Sequence, residues 1–440
     1  MDKEGDDMVD FWQEASNLKD AMVKVRRDFH QHPESAWTEF RTASQVAETL
    51  SNLSYEVLCG EDFIHTEDMV GVPPEEKLQE CKERALREGA LSKWLDKMPK
   101  GKTAVVGIMH FNKPGKVVCL RFDMDCNTTA EDLGQGHLPT KEGFNSLHEG
   151  LMHACGHDGH TTIGLFVAKL LSEHKDELCG TVKIFFQPAE EGAGGAKALV
   201  GSGLFDDCDY FLSGHIGLSA NRDDLIVCMA TDFLATTKMD VEFHGLAAHA
   251  GANPEMGKNA LLAAAKAILL MQEVPKEVEG LARLNVGTLD AGSARNIIPD
   301  KAVLRMETRG ATSKIDTYLY NRVKEIVKEC GDSYGCTSKV IEIGRAPSEK
   351  QEPELAKEIF TFLKSKGIYK EVLLSEKFGA SEDCTRIMER VQEKGGHAIF
   401  MMYGSKLPAV HHNSSFDFNE DLLPKAVGTV AILTNKFLHK

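Results

Sequence analysis

The sequence predicts an α/β protein: a twisted, mostly parallel sheet with a site along its carboxyl edge, and a smaller α/β sandwich inserted between the two halves of that domain. Three observations predict it. Strands and helices alternate from about residue 104 to 216 with polar residues at each strand's exit, the pattern of parallel strands joined by crossover helices. Near Thr231 the character changes to Lys238-Met-Asp-Val-Glu-Phe243, which alternates like a strand with one exposed face. Finally, 440 residues exceed what one compact core accommodates.

Residues 8–30 place Phe11, Trp12, Leu18, Met22, Val25 and Phe29 close to one helical stripe. His30-Gln-His-Pro-Glu34 ends that helix, since proline disfavours helical backbone at the residue before it. His30 and His32 there read as cations at a helix C-terminus rather than as ligands. Residues 39–53 form a second helix. Residues 61–100, rich in Glu, Lys and Arg and with Pro73-Pro74 opening a helical pattern, predict a helical excursion or lid rather than core. Strands follow at 104–109 and 117–122, the second running into Asp123-Met-Asp125, and carboxylates two apart on extended backbone point to one side. A helix at 161–174, a strand at 181–186, a helix at 193–201 and a strand at 210–215 complete the first half. The insertion reads strand-helix-strand-strand-helix at 238–243, 259–273, 281–289, 302–308 and 315–330. The chain returns through a helix at 352–366, the turn 379–383, a strand at 398–402, the loop Val410-His-His-Asn413 and a helix at 422–437. The expected boundaries are 1–231 with 345–440 for the sheet domain and 232–344 for the insertion.

A 42% hydrophobic and 27% charged composition is that of a soluble globular protein. The net charge of -16 argues against nucleic-acid or anionic-membrane partners while leaving room for a local cationic pocket. Apolar runs such as 260–271 are too short to span a bilayer. The polar stretch 1–10 has no apolar segment of the kind that directs secretion. Eleven cysteines without CxxC pairs fit a reducing cytoplasm.

No period of 2 or 3.6 explains Met152-His-Ala-Cys-Gly-His-Asp-Gly-His160. Thiolate and imidazole are transition-metal ligands, and glycine lets the backbone turn so that Cys155 and His157 face one point. With one of Glu190 and Glu191, His215, and one of His411 and His412, five donors come from four segments. That suffices for two metals sharing a bridging group, or one metal with outer support. Neighbouring side chains on extended backbone diverge, so one of the two glutamates belongs on metal and the other on the attacking water. The chemistry is then metal-assisted hydrolysis. A rival reading makes Cys155 a nucleophile with His157 as its base, but leaves the glutamates and distant histidines without a task.

Cys-Gly-His-Asp-Gly-His (155–160), Gln-Pro-Ala-Glu-Glu-Gly (187–192), His-Gly-Leu-Ala-Ala-His-Ala-Gly (244–251), Arg-Asn-Ile-Ile-Pro (295–299) and the His-His…Phe-Asp-Phe run (411–418) resemble the M20 metallopeptidase and amidohydrolase family. The likeness is to its aminoacylase, hippurate and auxin-conjugate branch. The resemblance implies a zinc-peptidase-like catalytic domain with an inserted lid and dimerisation domain. It implies Cys155, His157, Glu191, His215 and His412 as ligands of two divalent ions, manganese or zinc, and Glu190 as general acid/base. Asp125 falls where the family has an orienting aspartate, with Asp123 in place of another branch's histidine ligand. His249 matches a lid histidine that reaches an active site, often that of the partner protomer. Arg295 and Asn296 match residues near the substrate's carboxylate. The implied substrate is an N-acyl or N-aroyl amino acid, p-aminobenzoyl-glutamate first, with hippurate-like or auxin-type conjugates as alternatives. The implied assembly is a homodimer or a heteromer with a homologous B-type chain, and a non-catalytic chain that pairs with an active homologue is the reading from another class.

Overall fold

The computed structural model describes residues 9–348 and 350–440; residues 1–8, most of the polar N-terminal stretch, lie outside the described residues. The strands are β1 (Glu56–Cys59), β2 (Val105–His110), β3 (Lys113–Asp123), β4 (Cys179–Gln187), β5 (Tyr210–Ile216), β6 (Leu225–Val227), β7 (Ala230–Thr231), β8 (Ala235–His244), β9 (Ala282–Ala291), β10 (Lys301–Gly310), β11 (Thr337–Ala346), β12 (Glu371–Leu373), β13 (Glu376–Lys377) and β14 (His397–Tyr403). The larger sheet has the order β1-β2-β4-β3-β5-β14-β6-β12. Its centre, β4-β3-β5-β14, is parallel throughout, while β1–β2, β2–β4 and β14–β6 pair antiparallel.

Apolar side chains leave this sheet on both faces, as parallel strands covered by helices require. Leu120, Phe122, Ile184 and Phe186 pack under the helices His157–Glu173 and Leu422–Leu438. Their neighbours Cys119, Phe185, Phe211 and Phe400 pack under Gly195–Gly201 and Cys384–Glu393. Because the four central strands run the same way, Asp123, Gln187, Ile216 and Tyr403 end along one edge.

The smaller sheet, β11-β8-β10-β9, is antiparallel throughout. One face buries Met239, Val241, Phe243, Ala302, Leu304 and Met306 against helices Ala260–Met271 and Ser313–Ser333. Alternation sends Thr236, Lys238, Glu307 and Arg309 to the opposite face. There Lys238 lies across from Glu307, and Thr236 from Arg309.

Several features differ from expectation, among them the short strands β1, β6, β7, β12 and β13. The first helix is two, Phe11–Asn17 and Lys19–Gln31, separated at Leu18. The first packs on Leu422–Leu438 and the second on His157–Glu173, so the axis must turn between them. The smaller sheet gains β11, hidden in the sequence because most of its residues are only half-buried. A helix absent from the expected order, Cys384–Glu393, follows the turn at 379–383. The segment 61–100 is not merely a lid: Cys81, Ala85, Ala90, Leu95 and Met98 are buried in the main core. Among the described residues no helix is long and apolar enough to cross a membrane.

Candidate active site

The carboxyl edge of the parallel strands gathers the chemistry. Asp123 ends β3 and Asp125 follows it, Glu190 and Glu191 follow β4, His215 is the last residue but one of β5, and His411 and His412 follow β14. Cys155 and His157 stand at the N-terminus of His157–Glu173, which starts on Gly156 at φ +89, a conformation that favours glycine. At Gly159 a Cβ would lie 2.6 Å from the Phe418 ring and 2.7 Å from Ile216, so only glycine lets that first turn sit so close to the core.

Each histidine's tautomer is set by its backbone or carboxylate partner. His157 Nδ1 donates to the Asp125 carbonyl at 2.9 Å. Its Nε2 is buried without a partner, 3.9 Å from Glu191 Oε1 and 4.0 Å from Glu190 Oε2. His215 repeats the arrangement: Nδ1 donates to the Ile216 carbonyl at 2.8 Å, and Nε2 faces Cys155 Sγ at 3.4 Å. Imidazoles fixed this way present a lone pair to a cation. His160 is different, because Nδ1 donates to Asp123 at 2.6 Å and Nε2 accepts from the Ile216 N–H at 2.9 Å, leaving neither nitrogen for a ligand.

Donor atoms of Cys155, Glu191 and His412 lie within 4.8 Å of one another, as do those of Cys155, His215 and His411, and those of His157, Glu190 and Glu191. The sets overlap through Cys155 and Glu191, so the donor atoms of all five expected ligands form one connected cluster. Of the histidine pair, His411 spends Nε2 on the Ile216 carbonyl at 3.0 Å, whereas His412 Nε2 faces Glu191 Oε2 at 3.4 Å. Two buried atoms without partners, His157 Nε2 and Glu191 Oε1, point into this donor set. A borderline divalent cation fits that chemistry.

Electrostatics agree. Burial opposes a charge on His157, yet Asp123 and Asp125 win and push its proton affinity well above the ordinary imidazole range, a negative field that would equally hold a metal. Burial, then Glu191, push the Cys155 thiol well up, which argues against a free thiolate nucleophile. Burial, then Glu382, Glu191 and Asp383, hold the Glu190 carboxyl well above the usual carboxylate range.

The two aspartates do not act as a pair. Asp123 binds Arg121 at 2.7 Å and His160 at 2.6 Å, and its Oδ1 also lies 3.8 Å from His157 Nε2. Asp125 accepts the Glu190 and Glu191 N–H groups at 3.0 Å each, so it fixes the glutamate turn. That turn is strained at Ala189, where φ is +56, and Glu39 accepts the Ala189 N–H at 2.9 Å. Nor do His30 and His32 reach the pocket. His30 bridges Asp158 and Glu131, while His32 caps its own helix through the Asp28 carbonyl.

A cavity of about 190 Å³ lies over the donors, and its roof comes from the smaller sheet as Thr236, Lys238 and Arg309. His249, Arg295 and Asn296 do not line it. They sit together on exposed loops beyond the ends of β8 and β9, where Ala250 N–H donates to the Asn296 carbonyl at 3.0 Å.

The model of peptidase family M20/M25/M40 matches residues 119–436. The chain belongs to this family. It is 41% identical over 421 residues to the A-type component of the p-aminobenzoyl-glutamate hydrolase of Escherichia coli, covering 94% of this chain and 95% of that one. An indole-3-acetyl-aspartic acid hydrolase of Enterobacter agglomerans is 40% identical with the same coverage. Among solved structures, an aminobenzoyl-glutamate utilization protein from Klebsiella pneumoniae superposes with a TM-score of 0.82 at 35% identity, over 97% of this chain and 98% of that one. As an M20 member the chain is a metal-dependent hydrolase of amide bonds.

Sequence reasoning missed the groups that hold this M20 site in place. Arg121 is buried and binds Asp123, Gln187, Glu382 and Asp383 at 2.7 to 3.1 Å. A charge inside the apolar run of β3 was the available signal, since a buried charge needs partners. Glu39 gave no signal, because an acid at a helix start is commonplace.

Proposed function

We propose that the chain cleaves the amide bond of an N-aroyl or N-acyl amino acid, with p-aminobenzoyl-glutamate the first substrate to test. The convergence of Cys155, His157, Glu191, His215 and His412 beside the Glu190 carboxyl, which lies outside that set, carries the reading. Manganese and zinc both suit this mixture of thiolate, imidazole and carboxylate. When bound, such ions polarise the scissile carbonyl and bring the pKa of a coordinated water to about 7.

The chain's own residues then manage the proton. Glu190 takes a proton from the attacking water as its oxygen bonds to the amide carbon. It returns that proton to the amine nitrogen as the C–N bond breaks, leaving a carboxylic acid and a free amino acid. A carboxyl raised by burial and acidic neighbours suits both halves of that cycle. Asp125 keeps Glu190 and Glu191 in register through their N–H groups.

His249, Arg295 and Asn296 stand at the far end of the smaller sheet. Six residue steps along β8 lead from Lys238, at the pocket, to His244, roughly 20 Å of extended chain. We therefore read the 232–344 insertion as a lid and dimerisation domain whose loops complete a second chain's site, with His249 on the oxyanion and Arg295 and Asn296 near the substrate's carboxylate. The partner is a second copy or a homologous B-type chain; relatives named as one lettered component of a hydrolase favour the latter. Eleven unpaired cysteines favour a reducing, cytoplasmic setting.

An indole-3-acetyl-aspartate-type conjugate is the second reading, favoured by the 40% identical relative. The test is metal-stripped protein, reloaded with manganese or zinc and assayed on aroyl- and acyl-amino acids. Hydrolysis of p-aminobenzoyl-glutamate is expected. Failure on every conjugate under both ions overturns the proposal.

A further inference from the structure

Four carboxylates line the pocket, Glu190, Glu191, Glu382 and Asp383, and among the described residues only two side chains carrying a permanent cation, Lys238 and Arg309, face them from the roof. Their situations differ. Arg309 is engaged: Nε and Nη2 donate to Glu307 at 2.8 and 3.1 Å, and Nη1 reaches Ser381 Oγ at 3.3 Å. Lys238 lies across β8–β10 from the same Glu307, whose carboxylate is taken by Arg309. Lys238 Nζ donates a hydrogen bond of 2.6 Å to the backbone carbonyl of Glu191. An ammonium has three donors, so two remain, half-buried and adjacent to a metal-ligand candidate.

We propose that Lys238 is a specificity-determining residue, its ammonium receiving the side-chain carboxylate of an acidic amino acid in the substrate. The inference rests on the amidohydrolase reading above and adds the substrate class to it. Glu382 and Asp383 are already bound by Arg121 from within the sheet, and a substrate's second carboxylate, lying away from the ligand cluster in a partly desolvated cavity, is unfavourable unless a cation receives it. In the proposed reading the α-carboxylate is served by Arg295 and Asn296 from another chain. The side-chain carboxylate needs its own partner, and Lys238 is the roof cation whose charge is not already matched. Its anchor on the Glu191 carbonyl gives it a fixed position over the glutamate turn, so a bound acid would be read at a set distance from the scissile amide.

The bland alternative is that Lys238 only clamps the Glu191 loop. Steady-state kinetics on the full, metal-loaded chain separate the two, using p-aminobenzoyl-glutamate and its neutral isostere p-aminobenzoyl-glutamine. The wild type is expected to prefer the glutamate. In Lys238→Met, kcat/KM for the glutamate should fall roughly 10- to 100-fold, the worth of a charge-assisted hydrogen bond. The loss should lie mainly in KM, with the glutamine conjugate changed far less and Lys238→Arg keeping part of the preference. Equal losses on both substrates would mean a loop clamp and overturn the inference. So would a wild type that cleaves both equally well. Either result leaves the amidohydrolase reading intact, whereas a wild type inert on all acyl amino acids removes that reading and this inference with it.

Discussion

Compare the floor of the pocket with the far end of the smaller sheet. On the floor, His157 and His215 are each tied through Nδ1 to a backbone carbonyl, and the glutamate turn hangs from Asp125 and Glu39 before any substrate arrives. At the far end, His249, Arg295 and Asn296 lie on solvent-facing loops, and His249 Nδ1 merely accepts the N–H groups of Gly251 and Ala252 at 3.1 and 3.0 Å. The first region is organised by its own chain; the second, in the reading proposed above, is completed by a partner. On that reading, groups that must be accurate in the resting protein are buried, and groups that serve another chain are kept on the surface.

The sharpest way to test the floor is Glu190→Gln. Turnover is expected to drop by about 10³-fold or more, the scale of a general acid/base, while metal content measured by elemental analysis stays unchanged. Turnover within about tenfold of the wild type would remove Glu190 from its role. For the far end, His249→Ala is expected to cost about 10²- to 10³-fold in kcat, as oxyanion donors do. If the second chain supplies that histidine, mixing His249→Ala and Glu190→Gln protomers restores part of the activity that each lacks alone, because one site in the mixed dimer is whole. No rescue on mixing would place His249 outside the partner's site.

A smaller effect is expected at Asp125→Asn. The side chain still fits, but only one oxygen remains to accept two N–H groups, and a loss of roughly 10- to 100-fold in metal affinity is the usual scale for such support. Titration of stripped protein with zinc measures it. The mildest test concerns His30, which bears on stability alone. Burial and Arg26 lower its proton affinity, but Asp158 and Glu131 raise it to about 9, above the ordinary 6.5. Its contribution is therefore complete below pH 6.5 and fades as pH rises through about 9. The denaturant midpoint should fall over that window, and His30→Gln should flatten the slope.

The candidate ligands were legible in the sequence because their chemistry is written in the side chains themselves: no packing pattern asks for Cys-Gly-His-Asp-Gly-His. The parallel sheet was legible because its strands are nearly continuous apolar runs. β11 was not, since a strand half-buried along most of its length leaves a weak alternation. Glu39, Arg121 and Lys238 were not legible either. Each looks ordinary in its own segment, a helix-start acid, a strand arginine and an outward lysine, and takes its meaning from a segment far along the chain. Periodicity reveals which face a residue is on, but not what that face meets.

Arg26 shows where this leads during synthesis. Fully buried, it binds Asp158 at 2.8 Å, Asp417 at 2.7 Å and Glu420 at 3.2 Å, the last 394 positions away. A nascent chain that has made the helix Lys19–Gln31 and the Cys155–His160 motif still carries a guanidinium short of two of these three counter-charges. The segment that brings Asp417 and Glu420 also brings His412. Translation thus withholds the last expected ligand and the last structural counter-ions together, so a half-made chain lacks both part of the expected ligand set and two of the charges that settle Arg26 in the core.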